Sequence, residues 1–180
     1  MRKLLLSVIM ISMYIITYSQ STMYIGSKEY QTVGWYFLNA GKYQSYTFEG
    51  STDISIAKTK SGTGGLLVIS FKTGNNYEYI NGPIYIYLTD EKPLTLTARY
   101  SKDFADETAT STFTLSALQI NILKKAKISA IRYSIYSNYG NTKTNSITAE
   151  NRINKSYEVT VYDEGTNFTN ADISVLFNKQ

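Results

Sequence analysis

The sequence predicts an α+β fold that is predominantly antiparallel β-sheet, with one principal helix near residues 116–127 and a short helix near the C-terminus. Three observations predict it. Short runs alternate between apolar and polar residues, which is the period of a strand. Glycine, asparagine, aspartate and serine separate these runs, as they do in turns. One internal segment, Ser116–Lys127, instead shows apolar residues at the four-residue spacing of a helix.

The first 19 residues have the pattern of a signal peptide. Arg2 and Lys3 precede the almost wholly apolar run Leu4–Ile16, and small residues then lead to a cleavage site between Ser19 and Gln20. A membrane anchor is the alternative, but a spanning helix needs about 20 apolar residues and this run is shorter. A lipid anchor would require a cysteine, and the chain has none. We therefore expect a secreted or periplasmic protein with no stable membrane span after cleavage.

The composition of the remaining residues, 20–180, fits a single β-rich domain and excludes several function classes. Cleavage removes two basic residues and no acidic one, so the formal charge falls from +4 to +2. Nucleic-acid binders carry dense basic stripes, so we expect no nucleic-acid partner. Cysteine and histidine are absent. Ser-His-Asp and Cys-His catalysis are therefore excluded, a zinc site would need carboxylates alone, and we expect no cofactor.

The strands are predicted from local alternation. The run Leu66–Phe71 (LLVISF) is apolar on both sides, which predicts a central strand covered on both faces. Pro93–Ser101 should place Leu94, Leu96, Ala98 and Tyr100 inward, and the polar segment Asn138–Lys155 should be a long loop with one helical turn near Thr148–Arg152. The other predicted strands are Lys42–Phe48, Asp53–Lys60, Ile128–Ser137 and Tyr157–Tyr162.

The principal helix should begin after Ser116, whose hydroxyl can accept a hydrogen bond from an unpaired backbone N–H. Its spacing predicts that Leu118 and Ile122 face the sheet. Three lysines (Lys124, Lys125 and Lys127) should follow in the last turn, where positive charge suits the helix dipole. A short final helix should be capped by Thr169 or Asn170 and bury Ile173, Leu176 and Phe177.

The stretch Tyr77–Leu88, YEYINGPIYIYL, predicts a β-hairpin because Asn-Gly is a strong turn signal. A three-residue loop, Asn81-Gly82-Pro83, would segregate the side chains. One face would then carry Tyr77, Tyr79, Tyr85 and Tyr87; the other would carry Ile80, Ile84, Ile86 and Leu88, with Glu78.

The four tyrosines, Tyr77, Tyr79, Tyr85 and Tyr87, allow two interpretations. Tyrosine rings offer flat apolar faces with a hydroxyl, so a row of them suits a sugar or an apolar peptide. Tyrosine is also a common strand residue whose cross-strand pairs stabilise sheets, and the chain has 17 of them. Scaffolding is the preferred interpretation, and ligand binding is the alternative.

Two other segments carry weaker signals. The segment DFADE, residues 103–107, gathers three carboxylates but lacks the ligand spacing and glycine of an EF-hand calcium loop, so solvated loop charge is the preferred interpretation. Lys60–Gly65 (KSGTGG) is glycine-rich, yet it leads into a predicted strand and not into the helix that a phosphate loop requires.

Glycoside hydrolysis is the enzyme class that best tolerates the absence of histidine, because two carboxylates suffice. Glu49, Glu78 and Glu158 are among the acidic residues at or within predicted strands. The sequence gives no reason to bring two of them together.

The segments YLTDEKPLTLTARYS (Tyr87–Ser101) and SALQINILKKAKISAIRY (Ser116–Tyr133) resemble a recurring element of uncharacterised exported β-rich proteins from Bacteroidota-type bacteria. The glutamine after the cleavage site is similar to that group as well. The resemblance implies export and carries no activity, ligand or site residue. The leading hypothesis is a non-catalytic exported module that binds a glycan or a protein partner. The alternative is a carboxylate-dependent, glycoside hydrolase-like enzyme acting on polysaccharide.

Overall fold

A computed structural model describes residues 21–34, 36–39, 51–73, 78–89, 91–137, 143–151 and 170–178. Within these ranges the chain forms eleven strands and two helices, so the predicted α+β, mainly antiparallel fold is confirmed. The strands are β1 (Ser21–Ile25), β2 (Lys28–Thr32), β3 (Tyr36–Asn39), β4 (Ser51–Lys58), β5 (Gly65–Lys72), β6 (Glu78–Leu88), β7 (Glu91–Leu96), β8 (Arg99–Ala105), β9 (Thr108–Leu115), β10 (Ile128–Ser137) and β11 (Lys143–Glu150). The helices are α1 (Ala117–Leu123) and α2 (Asn170–Asn178). Neither described helix has the length and apolar character that crossing a membrane requires.

The strands form one antiparallel sheet in the order β7-β6-β10-β11-β3-β4-β5-β9-β8, and the β1–β2 hairpin pairs with β4 beside this path. Strands β7 and β8 lie at opposite ends of that order, yet only Thr97 and Ala98 connect them along the chain. So short a connection requires the two ends of the sheet to meet, and the sheet therefore curls. The hydroxyl of Ser111 on β9 accordingly lies 3.5 Å from the Ile80 carbonyl oxygen on β6, to which it donates a hydrogen bond.

The inner face of the curled sheet holds the main core. Strand residues Ile54, Leu67, Ile84 and Ile131 are fully buried there. Tyr133 is also buried, and its hydroxyl lies 2.7 Å from Thr52 Oγ1, so the polar end of the ring has a partner. Both helices contribute to this core, with Ile120 and Leu123 from α1 and Ile173 and Leu176 from α2.

A second, smaller core lies on the outer face of β4 and β5, where the β1–β2 hairpin covers it. Its members are Met23, Tyr30, Ala57, Leu66 and Val68. Because Leu67 and Ile69 point into the main core, β5 is buried on both faces. The prediction of a central strand at Leu66–Phe71 is confirmed.

Helix α1 begins as predicted, but it buries different residues. Ser116 accepts a hydrogen bond from the Gln119 backbone N–H, and Gln119 Oε1 accepts one from the Ser116 N–H, which completes a capping box. The prediction that Leu118 faces the sheet is wrong, because its side chain is 71% exposed. Ile120 and Leu123 are buried instead, and Ile122 is half-buried. The helix ends at Leu123, so the three lysines follow it and do not form its last turn.

Gly65 allows the two helices to reach the start of β5. A Cβ atom at this position would lie 2.9 Å from Ile120 Cδ1 on α1 and 3.0 Å from Phe177 Cζ on α2. It would also lie 3.2 Å from the Ala57 carbonyl oxygen. Gly65, the last glycine of the segment KSGTGG, therefore allows close packing between two helices and a strand.

Two strand predictions need correction. Pro93–Ser101 is not one strand, since β7 ends at Leu96 and β8 begins at Arg99; Ala98 and Tyr100 are exposed. The segment Asn138–Lys155 was predicted as a loop, but β11 occupies its centre and pairs with β10. Ile147 and Ala149 point into the core on either side of the exposed Thr148. This short alternation suffices when a neighbouring strand supplies the hydrogen bonds.

The other predictions are mostly confirmed where the structure describes them. Ile128–Ser137 forms β10 over its full length, and α2 buries Ile173 and Leu176, with Phe177 half-buried. In the segment DFADE, Asp106 and Glu107 form the exposed β8–β9 turn. The predicted strands Lys42–Phe48 and Tyr157–Tyr162, and the signal peptide at residues 1–19, lie outside the described residues.

Candidate binding face

The segment that was predicted as a tyrosine hairpin is a single strand. Strand β6 runs without reversal from Glu78 to Leu88 and pairs along its length with β10, so the hairpin prediction is wrong. Asn81, Gly82 and Pro83 form a bulge within it. Arg132 pairs with Tyr85 and Ser134 pairs with Asn81, so β6 holds two more residues than β10 between these pairs.

The bulge uses the residues that suggested a turn. Gly82 has φ of 78°, a conformation that residues other than glycine rarely adopt, and both a tight turn and a bulge can require it. Pro83 has no N–H to donate, and it lies where neither β10 nor β7 provides a paired residue. Because the bulge adds two residues, side chains before and after it keep the same alternation.

The predicted segregation of side chains is therefore correct although the hairpin is not. Ile80, Ile84 and Ile86 are fully buried, and Leu88 is buried as well. On the opposite face, Tyr85 is exposed, whereas Tyr79 and Tyr87 are half-buried. Tyr77 lies outside the described residues. We call the outward side chains of β6 and β10 and their paired neighbours on β7 and β11 the tyrosine face.

One straight row of exposed side chains crosses the tyrosine face. Thr95 on β7 pairs with Tyr85 on β6, Tyr85 pairs with Arg132 on β10, and Arg132 pairs with Thr148 on β11. All four residues are exposed. Adjacent strands lie about 4.8 Å apart, so the row is about 14 Å wide. It presents an aromatic ring, a guanidinium and two hydroxyls side by side.

A second row contains two tyrosines and two lysines. Tyr79 pairs with Tyr136, and their ring centroids are 6.4 Å apart; Tyr136 pairs in turn with Lys143 on β11. Lys102 Nζ lies 4.2 Å from the centroid of the Tyr79 ring, within the range of a cation–π interaction. Cations therefore flank this aromatic pair on both sides.

Between these rows the face is polar. Asn81 pairs with Ser134, and Ser134 pairs with Ser146. The two serine hydroxyl oxygens are 3.3 Å apart, and Arg99 Nη1 lies 3.4 Å from Asn81 Oδ1. The tyrosine face thus alternates aromatic and hydroxyl or amide groups over three rows.

The curl of the sheet covers part of this face. Arg99 and Lys102 on β8 lie over the Tyr79 ring, with the Arg99 guanidinium carbon 5.8 Å from its centroid. Arg99 Nη1 also donates to the Ile80 carbonyl oxygen at 3.4 Å. Tyr79 therefore belongs to the contact that closes the curled sheet, and Tyr85 remains the exposed ring. Tyr79 therefore fits the scaffolding interpretation, and ligand binding at the exposed Tyr85 stays a prediction.

The strands at the two ends of the sheet order, β7 and β8, are poor templates for pairing with another strand. On β8, Asp103 Oδ1 accepts a hydrogen bond of 2.8 Å from the Phe104 backbone N–H, and Lys102 is an exposed neighbour. On β7, Lys92 and Pro93 are exposed. Charged side chains and proline are common on edges that resist strand addition. A partner is therefore better accommodated by the face of the sheet than by its edges.

The carboxylates of the described residues do not assemble a metal centre. Within the ranges that the structure describes, no cluster of three or more aspartates and glutamates could hold a metal ion. Glu78 accepts a hydrogen bond of 3.0 Å from Thr73 Oγ1, while Glu49 and Glu158 lie outside the described residues.

Among the acids that the structure describes, Asp53 on β4 has the most perturbed pKa. Burial raises its pKa to about 6, against a smaller lowering by Lys72, and its Oδ1 atom is buried without a hydrogen-bond partner among the described residues. It pairs with Ser70 on β5 and with Phe37 on β3, away from the tyrosine face.

Comparison with known proteins adds no further assignment: no family model matches this sequence, and no curated protein or solved structure is significantly similar to it. The site therefore rests on its own geometry. Sequence reasoning identified Tyr79, Tyr85 and Tyr87 but missed Arg132, Tyr136 and Lys143. The alternation Arg132, Ser134, Tyr136 within the predicted strand Ile128–Ser137 was visible, but the pairing of that strand with β6 was not.

Proposed function

We propose that this protein is an exported, non-catalytic module that binds a glycan on the tyrosine face. The observation that carries the proposal is the exposed row of Thr95, Tyr85, Arg132 and Thr148 across four neighbouring strands. A sugar ring has apolar C–H faces and a rim of hydroxyls. An exposed tyrosine can stack on the former, and threonine hydroxyls and a guanidinium can hydrogen-bond the latter.

The buried residues beside Tyr85 and Arg132 indicate that these two side chains stand on a rigid part of the sheet. The residues behind Tyr85 are the fully buried Ile84 and Ile86, so the ring stands on a packed strand and not on a loop. Its partner strand is fixed by the buried Ile131 and Tyr133 on either side of Arg132. A preformed site loses less conformational entropy on binding than a flexible one. Export is supported by the pattern of residues 1–19, and amino-terminal sequencing of secreted or periplasmic protein should begin at Gln20.

The test is a glycan array probed with the purified protein, followed by titration calorimetry with each glycan that binds. The Tyr85→Ala substitution should weaken binding about tenfold, because it removes the stacking surface. Unfolding should change little, since Tyr85 is exposed. Tyr24→Ala is the matched control, because Tyr24 is an exposed tyrosine of β1, outside this face.

Two results would contradict the proposal. Binding that is equally reduced by Tyr24→Ala would place the ligand elsewhere. Failure to bind any glycan, together with capture of a protein ligand that depends on Tyr85, would replace the glycan by a protein partner. Ile84→Ala separates stability from binding, since this residue is fully buried and its loss should lower the melting temperature.

A further inference from the structure

We infer that the glycan recognised by the tyrosine face is acidic, and that Arg132 binds its carboxylate or sulfate group. This inference rests on the proposed function and specifies its ligand. It is drawn from the distribution of charge over the rows of the face, which the strand register defines.

Cations occupy the centre of the face and one of its ends. Arg132 is exposed between Tyr85 and Thr148 in the first row. At the other row, Lys143 is exposed beside Tyr136, and Lys102 lies over Tyr79. Arg99 on β8 also lies over Tyr79. These cations come from three different strands, β10, β11 and β8, so the register and the curl of the sheet bring them to one surface.

Among the described outward side chains of this face, the acidic one lies at the opposite end. Glu150 pairs with Ala130, which pairs with Tyr87. Arg132 and Ala130 are neighbours on the same face of β10, so one step of the alternation, about 7 Å, separates the basic row from the row of Glu150. An acidic chain that crosses Tyr85 would therefore be oriented, with its anionic groups toward Arg132 and Lys143.

Arginine suits this role better than a lysine would. Its planar guanidinium can donate two parallel hydrogen bonds to a carboxylate or sulfate. These bonds fix the orientation of the acidic group in addition to attracting its charge. Tyr85 lies directly across the strand pair, so a sugar ring stacked on it would place an attached acid group near the guanidinium. The cations are separated by hydroxyls and aromatic rings, an arrangement that suits spaced charges on a saccharide.

The experiment compares glycans that differ only in charge. Titration calorimetry would use an oligogalacturonide and its fully methyl-esterified form, then a sulfated oligosaccharide and its desulfated form. We expect the acidic member of at least one pair to bind about fivefold more tightly, a magnitude set by the exposure of the ion pair. That preference should shrink as salt increases. The pair that discriminates shows whether a carboxylate or a sulfate is bound.

Substitutions of the cations test which residue causes the preference for the acidic glycan. Arg132→Gln should abolish the discrimination between charged and neutral forms, and Arg132→Lys should retain part of it. Lys60→Gln is the matched control, because Lys60 is exposed in the β4–β5 turn outside this face. If Arg132→Gln does not fold by circular dichroism, Lys143→Gln provides the same test on a different strand.

The outcomes separate this inference from the proposed function. Equal affinity for charged and neutral forms, with binding still dependent on Tyr85, would overturn the acidic ligand and leave glycan binding intact. Discrimination that survives Arg132→Gln and Lys143→Gln would also overturn it. If no glycan of either kind binds, both the inference and the proposed function fail.

Discussion

Asp53→Asn should stabilise the protein at neutral pH and leave its stability unchanged in acid. The carboxyl of Asp53 lies on β4, and its Oδ1 atom is buried with no hydrogen-bond partner in the part of the chain that the structure describes. Its pKa rises from an ordinary 3.8 to about 6, chiefly because burial disfavours the charged form. The native state therefore holds this proton more tightly than the unfolded chain does. This tighter proton binding adds to the free energy of unfolding. The added stability is fully present below pH 3.8 and is lost as the pH rises through about 6.

The two pKa values set how much stability Asp53→Asn should gain at neutral pH. A shift of one pKa unit corresponds to about 1.4 kcal/mol, so the gain is at most about 3 kcal/mol at pH 7.5. Asp53 is only half-buried, and solvent screens such a group, so we expect about 1–2 kcal/mol. The asparagine amide has nearly the same shape and carries no charge, so it avoids this cost.

The assay is urea unfolding followed by circular dichroism at pH 3.5 and pH 7.5. The wild-type protein should lose stability relative to Asp53→Asn between these values. Asp106→Asn is the control, since Asp106 is exposed in the β8–β9 turn and asparagine tolerates its positive φ of 47°. A variant that is less stable than wild type at pH 7.5, or a difference that is the same at both pH values, would refute the reasoning.

Two further predictions concern packing. Leu123→Ala should lower the free energy of unfolding by about 2–5 kcal/mol, because Leu123 is fully buried, whereas Leu118→Ala should change it by less than about 0.5 kcal/mol. Equal losses in urea unfolding would show that α1 packs on a different face. Gly65→Ala should lower the melting temperature, because its Cβ would lie 2.9 Å from Ile120 Cδ1; the double variant Gly65→Ala with Ile120→Val should recover part of the loss. A melting temperature that the single substitution leaves unchanged would contradict this contact.

The sequence determined those features whose causes are local. The capping box of Ser116 and Gln119 depends on groups three residues apart, so the start of α1 was predictable. Alternation on each side of Asn81-Gly82-Pro83 placed Ile80, Ile84 and Ile86 inward and Tyr79 and Tyr85 outward, and this holds although the predicted hairpin does not form.

The tertiary structure decided what depends on neighbouring strands. Asn81-Gly82-Pro83 suits a turn and a bulge equally, since both need the positive φ of Gly82; the continuous pairing with β10 selects the bulge. Pairing with the other side of β10 likewise makes β11 a strand, although its residues are mostly polar.

The candidate site shows the same division. Tyr85 was identified from the alternation of its own strand, but its neighbour Arg132 lies 47 positions later in the sequence. Which of these side chains share a row is set by the register between strands, and the register is fixed by the buried side chains of the curled sheet. The sequence therefore determined which faces are apolar and which are aromatic. Only the curl and the register decided that Tyr79 is covered by Lys102 while Tyr85 stands exposed beside a guanidinium.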